Sequence, residues 1–308
     1  MRRLCGVART GVAVAIGLST VLLHARDASA QATPDRSEEG ELVWREHWPR
    51  FHWAEYATTG VLIGGTILAG VFGPSNVVFW SDGNEFDDHA RGGLRVDPPQ
   101  QSSTAIASDV LLGALMAYPY VDAGVAWLGH GSADVAWQMA MINTESLAVS
   151  MAITTGIKFA AGRMRPNARE CLETGRGDDP ECTGDDYASS FFSGHSAMAF
   201  TGAGLTCAHH TNLPLYGGGA PDYLACATAL GAATATGLLR VNADRHYVSD
   251  VIVGGLVGSI SGYVLPNLLH YRFGAEPAER ASKPSDTRVM VTPLGGDSFA
   301  GLGAVGMF

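Results

Sequence analysis

Arg240, His246 and Asp250 stand at fixed intervals in the stretch Arg240-Val-Asn-Ala-Asp-Arg-His246-Tyr-Val-Ser-Asp250, just before a long apolar run. If the chain is helical from Val248, His246 and Asp250 share one face at the start of that helix, four residues apart. The carboxylate would then accept one imidazole N–H and leave the other ring nitrogen bare. That is an oriented nucleophile, and Arg240 is close enough in sequence to hold an anionic substrate against it. By itself the segment fits a helix-capping Asp beside a surface His equally well.

Two further stretches shift that balance. Lys158 and Arg165 are seven residues apart at the end of an apolar segment. They are two turns apart on one face if the helix persists, and Pro166 is expected to stop it. Two cations at a helix end can also do no more than complement the helix dipole. Ser190-Phe191-Phe192-Ser193-Gly194-His195-Ser196 precedes another apolar run. Ser193 is a suitable N-cap there, Gly194 lets backbone approach a ligand, and the unpaired N–H groups of the first turn form an anion site with His195 at its rim.

Taken in order, Lys-x6-Arg-Pro, Ser-Gly-His and Arg-x5-His-x3-Asp resemble the type 2 phosphatidic acid phosphatase superfamily. That superfamily includes the bacterial class A acid phosphatases and shares its site with the vanadium haloperoxidases. The resemblance covers residues 104 to 270. It implies an all-α bundle of about six helices with the active site at one end, and phosphomonoester hydrolysis through a phosphohistidine without a metal. It also implies roles: Lys158, Arg165, Ser193, Gly194 and Arg240 hold the phosphate oxygens, His246 attacks phosphorus, Asp250 orients it, and His195 protonates the leaving oxygen. The substrate it implies is a phosphate monoester, with lipid phosphates among the candidates. Vanadate is then an inhibitor, or the cofactor if the chain is a haloperoxidase instead; a membrane protein with a non-catalytic phosphate site is the third reading. The chain departs from the family pattern at Phe192, where the family usually has Pro, and at Leu239, where it usually has Ser.

The physics of phosphoryl transfer asks for the same groups. Three cations and helix-start N–H groups supply positive charge around the equatorial oxygens. Two imidazoles, one nucleophilic and one kept protonated by the bound dianion, supply nucleophile and acid.

The elements that must position these groups come next. The chain has 308 residues, 46% of them apolar, enough for one sizeable core. Residues 1–30 read as a signal peptide: basic Arg2 and Arg3, an apolar run from Gly11 to Leu23, then Ala28-Ser29-Ala30. Residues 31–55 read as an arm lying on the domain, 56–271 as the helical domain, and 272–308 as a tail in which residues 288–308 can form a short β-hairpin. Losing the signal removes four arginines and one aspartate, so the formal charge of minus 10 becomes minus 13. An acidic surface of that size excludes nucleic-acid binding through the overall field. The expected location is exported and periplasmic, and the four cysteines left after the signal favour disulfides, Cys171 with Cys182 and Cys207 with Cys226.

Long apolar segments are expected at about 56–80, 104–129, 133–161, 194–210, 221–239 and 247–270, with polar connections over 81–103 and 166–192. Asp109, Asp122, Asp134 and Glu145 lie inside two of these segments and argue against a lipid-facing span. They point to a bundle that carbonate or high salt would release from a membrane. The uncharged runs at 56–80 and 251–271 are long enough to span or insert in part, so membrane association stays open, as does the oligomeric state. His209-His210 has the residue type of a metal site but no second ligand pair at suitable spacing, so no metal is assigned. Asp185-Asp186 reads as solvated loop.

Overall fold

The computed structural model describes residues 42–72, 77–176, 184, 186–274, 288–296 and 299–307. Among these, eight α-helices carry the fold. The six long ones are α1 (Trp53–Phe72), α3 (Pro98–Gly124), α4 (Ala133–Ala161), α6 (Gly194–Asn212), α7 (Ala220–Asn242) and α8 (Val248–Ser259). Two stretches expected to be loop hold short helices, α2 (Glu85–Leu94) and α5 (Pro166–Glu173). Asn84 caps α2, its side chain accepting from Asp87 N, and three acids occupy the first turn, where the helix dipole favours them. Pro166 opens α5 rather than merely ending the helix before it: its fixed φ suits a first helical position, where no N–H is required. Arg288–Gly296 and Phe299–Met307 pair as antiparallel strands. The expected signal peptide lies outside the described residues.

α6 is the central element. Nearly every residue from Ser196 to His210 is buried, with α3, α4, α7 and α8 around it. Small residues permit that density. A Cβ on Gly258 would stand 2.2 Å from Ala197 O, and one on Gly202 would stand 2.2 Å from Leu115 O. Pro119 has no N–H to give to that same Leu115 carbonyl, which leaves it open to the close approach of α6.

The long helices alternate in direction, so their ends sort into two sets. At one end lie the starts of α3, α6 and α8 and the ends of α4 and α7. At the other, residues 42–51 bring Trp44, Trp48 and Phe51 into a core with Ile142, Leu205 and Tyr271. Trp48 meets the Tyr271 ring edge-on at 4.9 Å. Cys207 and Cys226 are bonded there, as expected, with Cα atoms 4.5 Å apart. The partner expected for Cys171, Cys182, lies outside the described residues.

Polarity is distributed inside out. Asp122 and Glu145 are buried and paired within the bundle, Asp122 with Tyr216 and His210, Glu145 with His270. The surface, by contrast, exposes large apolar side chains: Val61, Ile67 and Val71 on α1, Ile106 and Val110 on α3, Leu224 and Leu238 on α7, Ile252 and Leu256 on α8. Among the described residues, four helices, Trp53–Val71, Pro98–Gly129, Ala220–Asn242 and Val248–Tyr271, are long and apolar enough to cross a membrane. Two of the acids that argued against lipid-facing spans therefore look inward and carry no such argument.

Candidate active site

The phosphate-binding residues expected from the sequence come from four helix ends. Lys158 is in the last turn of α4, which stops at Ala161 because Gly162 turns left-handed with φ 48°. A Cβ on Gly162 would strike Val77 O at 2.4 Å, so only glycine lets residues 77–80 lie alongside. The helix thus does not persist to Arg165, and the expected two-turn spacing on one face is replaced by a bend. Arg165 is extended, at ψ 150°, as proline requires of the residue before it. The bend turns Arg165 inward, where the side chain is buried.

Ser193 caps α6, its hydroxyl accepting from Ser196 N at 3.3 Å. Gly194 follows, and a Cβ there would sit 3.3 Å from Thr154 Cγ2 and 3.9 Å from Lys158 Nζ, so the helix start lies beside the amine. Phe192 fills its position as a core side chain, 2% exposed, and Ser193 keeps its cap. Arg240 is in the last turn of α7 and donates to Ser108 Oγ and Asp109 Oδ1, both at 3.1 Å. Asp109 also meets His195 Nε2 at 2.7 Å.

His246 lies just before α8, whose N-cap is Tyr247, so it does not share a helical face with Asp250 as expected. Its Nδ1 is 2.8 Å from the carbonyl oxygen of Ser190 and 3.7 Å from Asp250 Oδ2. A carbonyl only accepts, so Nδ1 carries the proton and Nε2 carries the lone pair. Asp250 is instead occupied by Arg163 NH1 at 2.5 Å, Ser190 Oγ at 2.6 Å and Tyr247 N at 3.0 Å. Ser190 therefore touches both groups, its carbonyl taking the imidazole proton and its hydroxyl donating to the carboxylate. The loop before His246 is fastened by Asp244, which accepts from Arg91 Nε at 2.7 Å and NH2 at 2.6 Å.

The electrostatics follow from burial among cations. Burial first, then Arg165, Lys158 and Arg240, hold the His246 pKa well below its ordinary value, so the ring is neutral and its Nε2 is available. Lys158 is pushed down to about 8, by burial and then by Arg165. Its Nζ donates to Ser189 O at 2.9 Å. Burial likewise lowers Arg165, against the opposing pull of Asp186. His195 is pushed down to about 4, by burial and then by Arg240, with Asp109 working the other way. The free site therefore holds His195 neutral at pH 7, and the proton expected on it must arrive with the substrate's negative charge.

Four site residues escaped the sequence reading. Asp109 had been grouped with the buried mid-helix acids, although a single carboxylate in the otherwise uncharged 104–121 was a signal. Asp186 is not a free loop residue: its carboxylate lies 2.6 Å from Arg165 NH2. Arg163 is fully buried between the Trp80 and Tyr247 rings, 3.9 and 4.1 Å from their centroids, and it joins Asp250 to Asp87. Asp87 in turn accepts from Ser249 N and Ser249 Oγ, so α2, a helix absent from the sequence expectation, clamps the start of α8. His209 and His210 lie away from the site, bonded to Tyr271 and Asn143 and to Asp222 and Asp122 respectively.

The PAP2 superfamily model matches residues 140–273, a span that runs from within α4 through α8 and includes all eight residues assigned to the site from the sequence. No solved structure matches the chain. Residues 140–273 are a PAP2 superfamily domain, and membership of that superfamily implies phosphatase-type activity.

Proposed function

We propose that the chain is an exported, membrane-embedded phosphatase that hydrolyses phosphomonoesters, with a lipid phosphate as its natural class of substrate, through a phosphohistidine on His246. The observation that carries the reading is the His246 Nδ1 contact to Ser190 O, which fixes the tautomer with Nε2 free beside three cations. Lys158, Arg165 and Arg240 surround the phosphoryl oxygens, and Ser193 and Gly194 present the start of α6 to them. In the first step Nε2 bonds to phosphorus, the ester P–O bond breaks, and His195 gives its proton to the leaving oxygen. In the second, water attacks the phosphoramidate, the P–N bond breaks, and His195 takes the proton from water. Asp250 acts on His246 through Ser190 and through the field of its carboxylate 3.7 Å away.

The apolar exterior supports a lipid substrate, because a single-chain phosphate diffusing in the bilayer could reach a site at the bundle's end without leaving it. The Cys207–Cys226 bridge supports an oxidising compartment at its own end of the bundle, the end away from His246. The test is hydrolysis of p-nitrophenyl phosphate and of a vesicle-borne lipid phosphate by the purified chain, with acid-labile, base-stable label from a radioactive phosphate ester expected on the wild type and lost in His246→Gln. Turnover retained in His246→Gln would refute the assignment.

A further inference from the structure

At the end of the bundle away from His246, one group of three ligand-type side chains converges among the described residues: Glu55, Glu145 and His270. We propose that they bind a divalent transition-metal cation, zinc above all, which ties α1, α4 and the π-helical turn at the end of the bundle together. One ligand atom from each lies within 4.8 Å of the others. Zinc takes carboxylate oxygen and imidazole nitrogen at about 2.0–2.2 Å, so its ligand atoms stand roughly 3–4 Å apart, and small side-chain movements reach that spacing.

Charge is the second argument. Glu145 and His270 are buried, at 7% and 0% exposure, with His270 Nε2 3.0 Å from Glu145 Oε2. A histidine and one glutamate would form a complete ion pair, but Glu55 brings a second carboxylate to the same point. Two carboxylates and one imidazole leave an excess negative charge at the edge of an apolar core, eased at the half-buried Glu55 by the N–H of His52, and a divalent cation reverses that excess. The imidazole supplies a third argument. His270 is fully enclosed, Phe51 stacked on it at 5.8 Å, yet its Nδ1 has no hydrogen-bond partner among the described residues. Buried ring nitrogens are ordinarily satisfied, so a fully enclosed ring with one nitrogen unpartnered is short of a partner of the kind an ion or ordered water supplies.

The ligands come from distant parts of the chain. Glu55 is in the first turn of α1, Glu145 is midway along α4, and His270 is in the π-helical turn Asn267–Tyr271 that ends the bundle. Such a site fastens α1 to the turn that ends the bundle. It is a structural role, separate from the chemistry at His246.

The test uses the full chain, without a histidine tag, solubilised in detergent, stripped with EDTA, and reloaded with zinc chloride or manganese chloride. Metal content after gel filtration and the thermal unfolding midpoint are measured. Near-stoichiometric zinc in the wild type is expected, with a raised midpoint. Glu55→Gln, at the accessible edge, is expected to weaken zinc binding roughly tenfold or more while leaving p-nitrophenyl phosphate hydrolysis unchanged, and His270→Gln to abolish binding. Wild-type protein that retains no metal and melts at the same temperature with or without it would overturn the inference. So would Glu55→Gln and His270→Gln proteins that hold zinc as the wild type does.

Discussion

Arg163 donates to Asp250 at 2.5 Å, with both side chains fully enclosed. The same guanidinium reaches Asp87 at 2.7 Å, so one cation joins a carboxylate beside His246 to one that receives the start of α8. Removing one partner of a buried ionic group typically costs 3–5 kcal/mol, on the order of a third of a domain's stability. Arg163→Met is therefore expected to lower stability by about that much. Arg163→Lys keeps the charge but not the forked geometry, and is expected to fold while losing roughly tenfold or more in kcat with little change in KM. Wild-type kcat in a folded Arg163→Lys protein would show that Asp250 needs no such support.

His195 and Asp109 are expected to act as a pair, since Asp109 Oδ1 holds the His195 Nε2 and Arg240 together. His195→Ala should cost much more with an alkyl phosphate than with p-nitrophenyl phosphate, whose leaving group needs no proton. Asp109→Asn removes the charge that favours protonated His195 and should show the same leaving-group dependence, weaker in size. Equal losses on both substrates would argue against His195 as the acid.

Lys158 sets the alkaline limb. Its pKa is lowered to about 8, so the ammonium is charged below that pH and loses its charge as pH rises through it. Phosphate affinity should therefore fall, and KM rise, above about pH 8. Lys158→Arg, whose guanidinium does not deprotonate in this range, should move the limb upward. His246 gives no acidic limb near its ordinary value, because its surroundings keep it neutral well below that pH. An alkaline limb unchanged in Lys158→Arg would assign it elsewhere.

Alternation of the long helices places the His246 end and the Cys207–Cys226 end at opposite extremes of the bundle. If the bundle crosses a membrane, exposed Gln100 at the start of α3 and exposed Glu46 beside the aromatic core face different compartments. Gln100→Cys and Glu46→Cys proteins in intact cells are expected to react with a membrane-impermeant maleimide at one position only, and the chain to stay in the membrane through carbonate and leave it with detergent. Labelling at both positions, with release by carbonate, would restore a bundle lying outside the lipid.

The sequence by itself determined the chemistry that this chain can carry and where each part of it falls along the chain. Apolar runs and the capping residue Ser193 are local properties, so the six long segments and the start of α6 were legible, as was the Cys207–Cys226 pair across a short turn. Tertiary structure decided what those groups touch. No local rule says that Asp250 will be held by Arg163 rather than by His246, because that choice depends on a helix near residue 87 reaching a turn near residue 249. Nor does hydropathy say which way an acid in an apolar helix will point. Asp122 and Glu145 look inward because Tyr216, His210 and His270 wait there to satisfy them, and the apolar residues beside them are left to face outward.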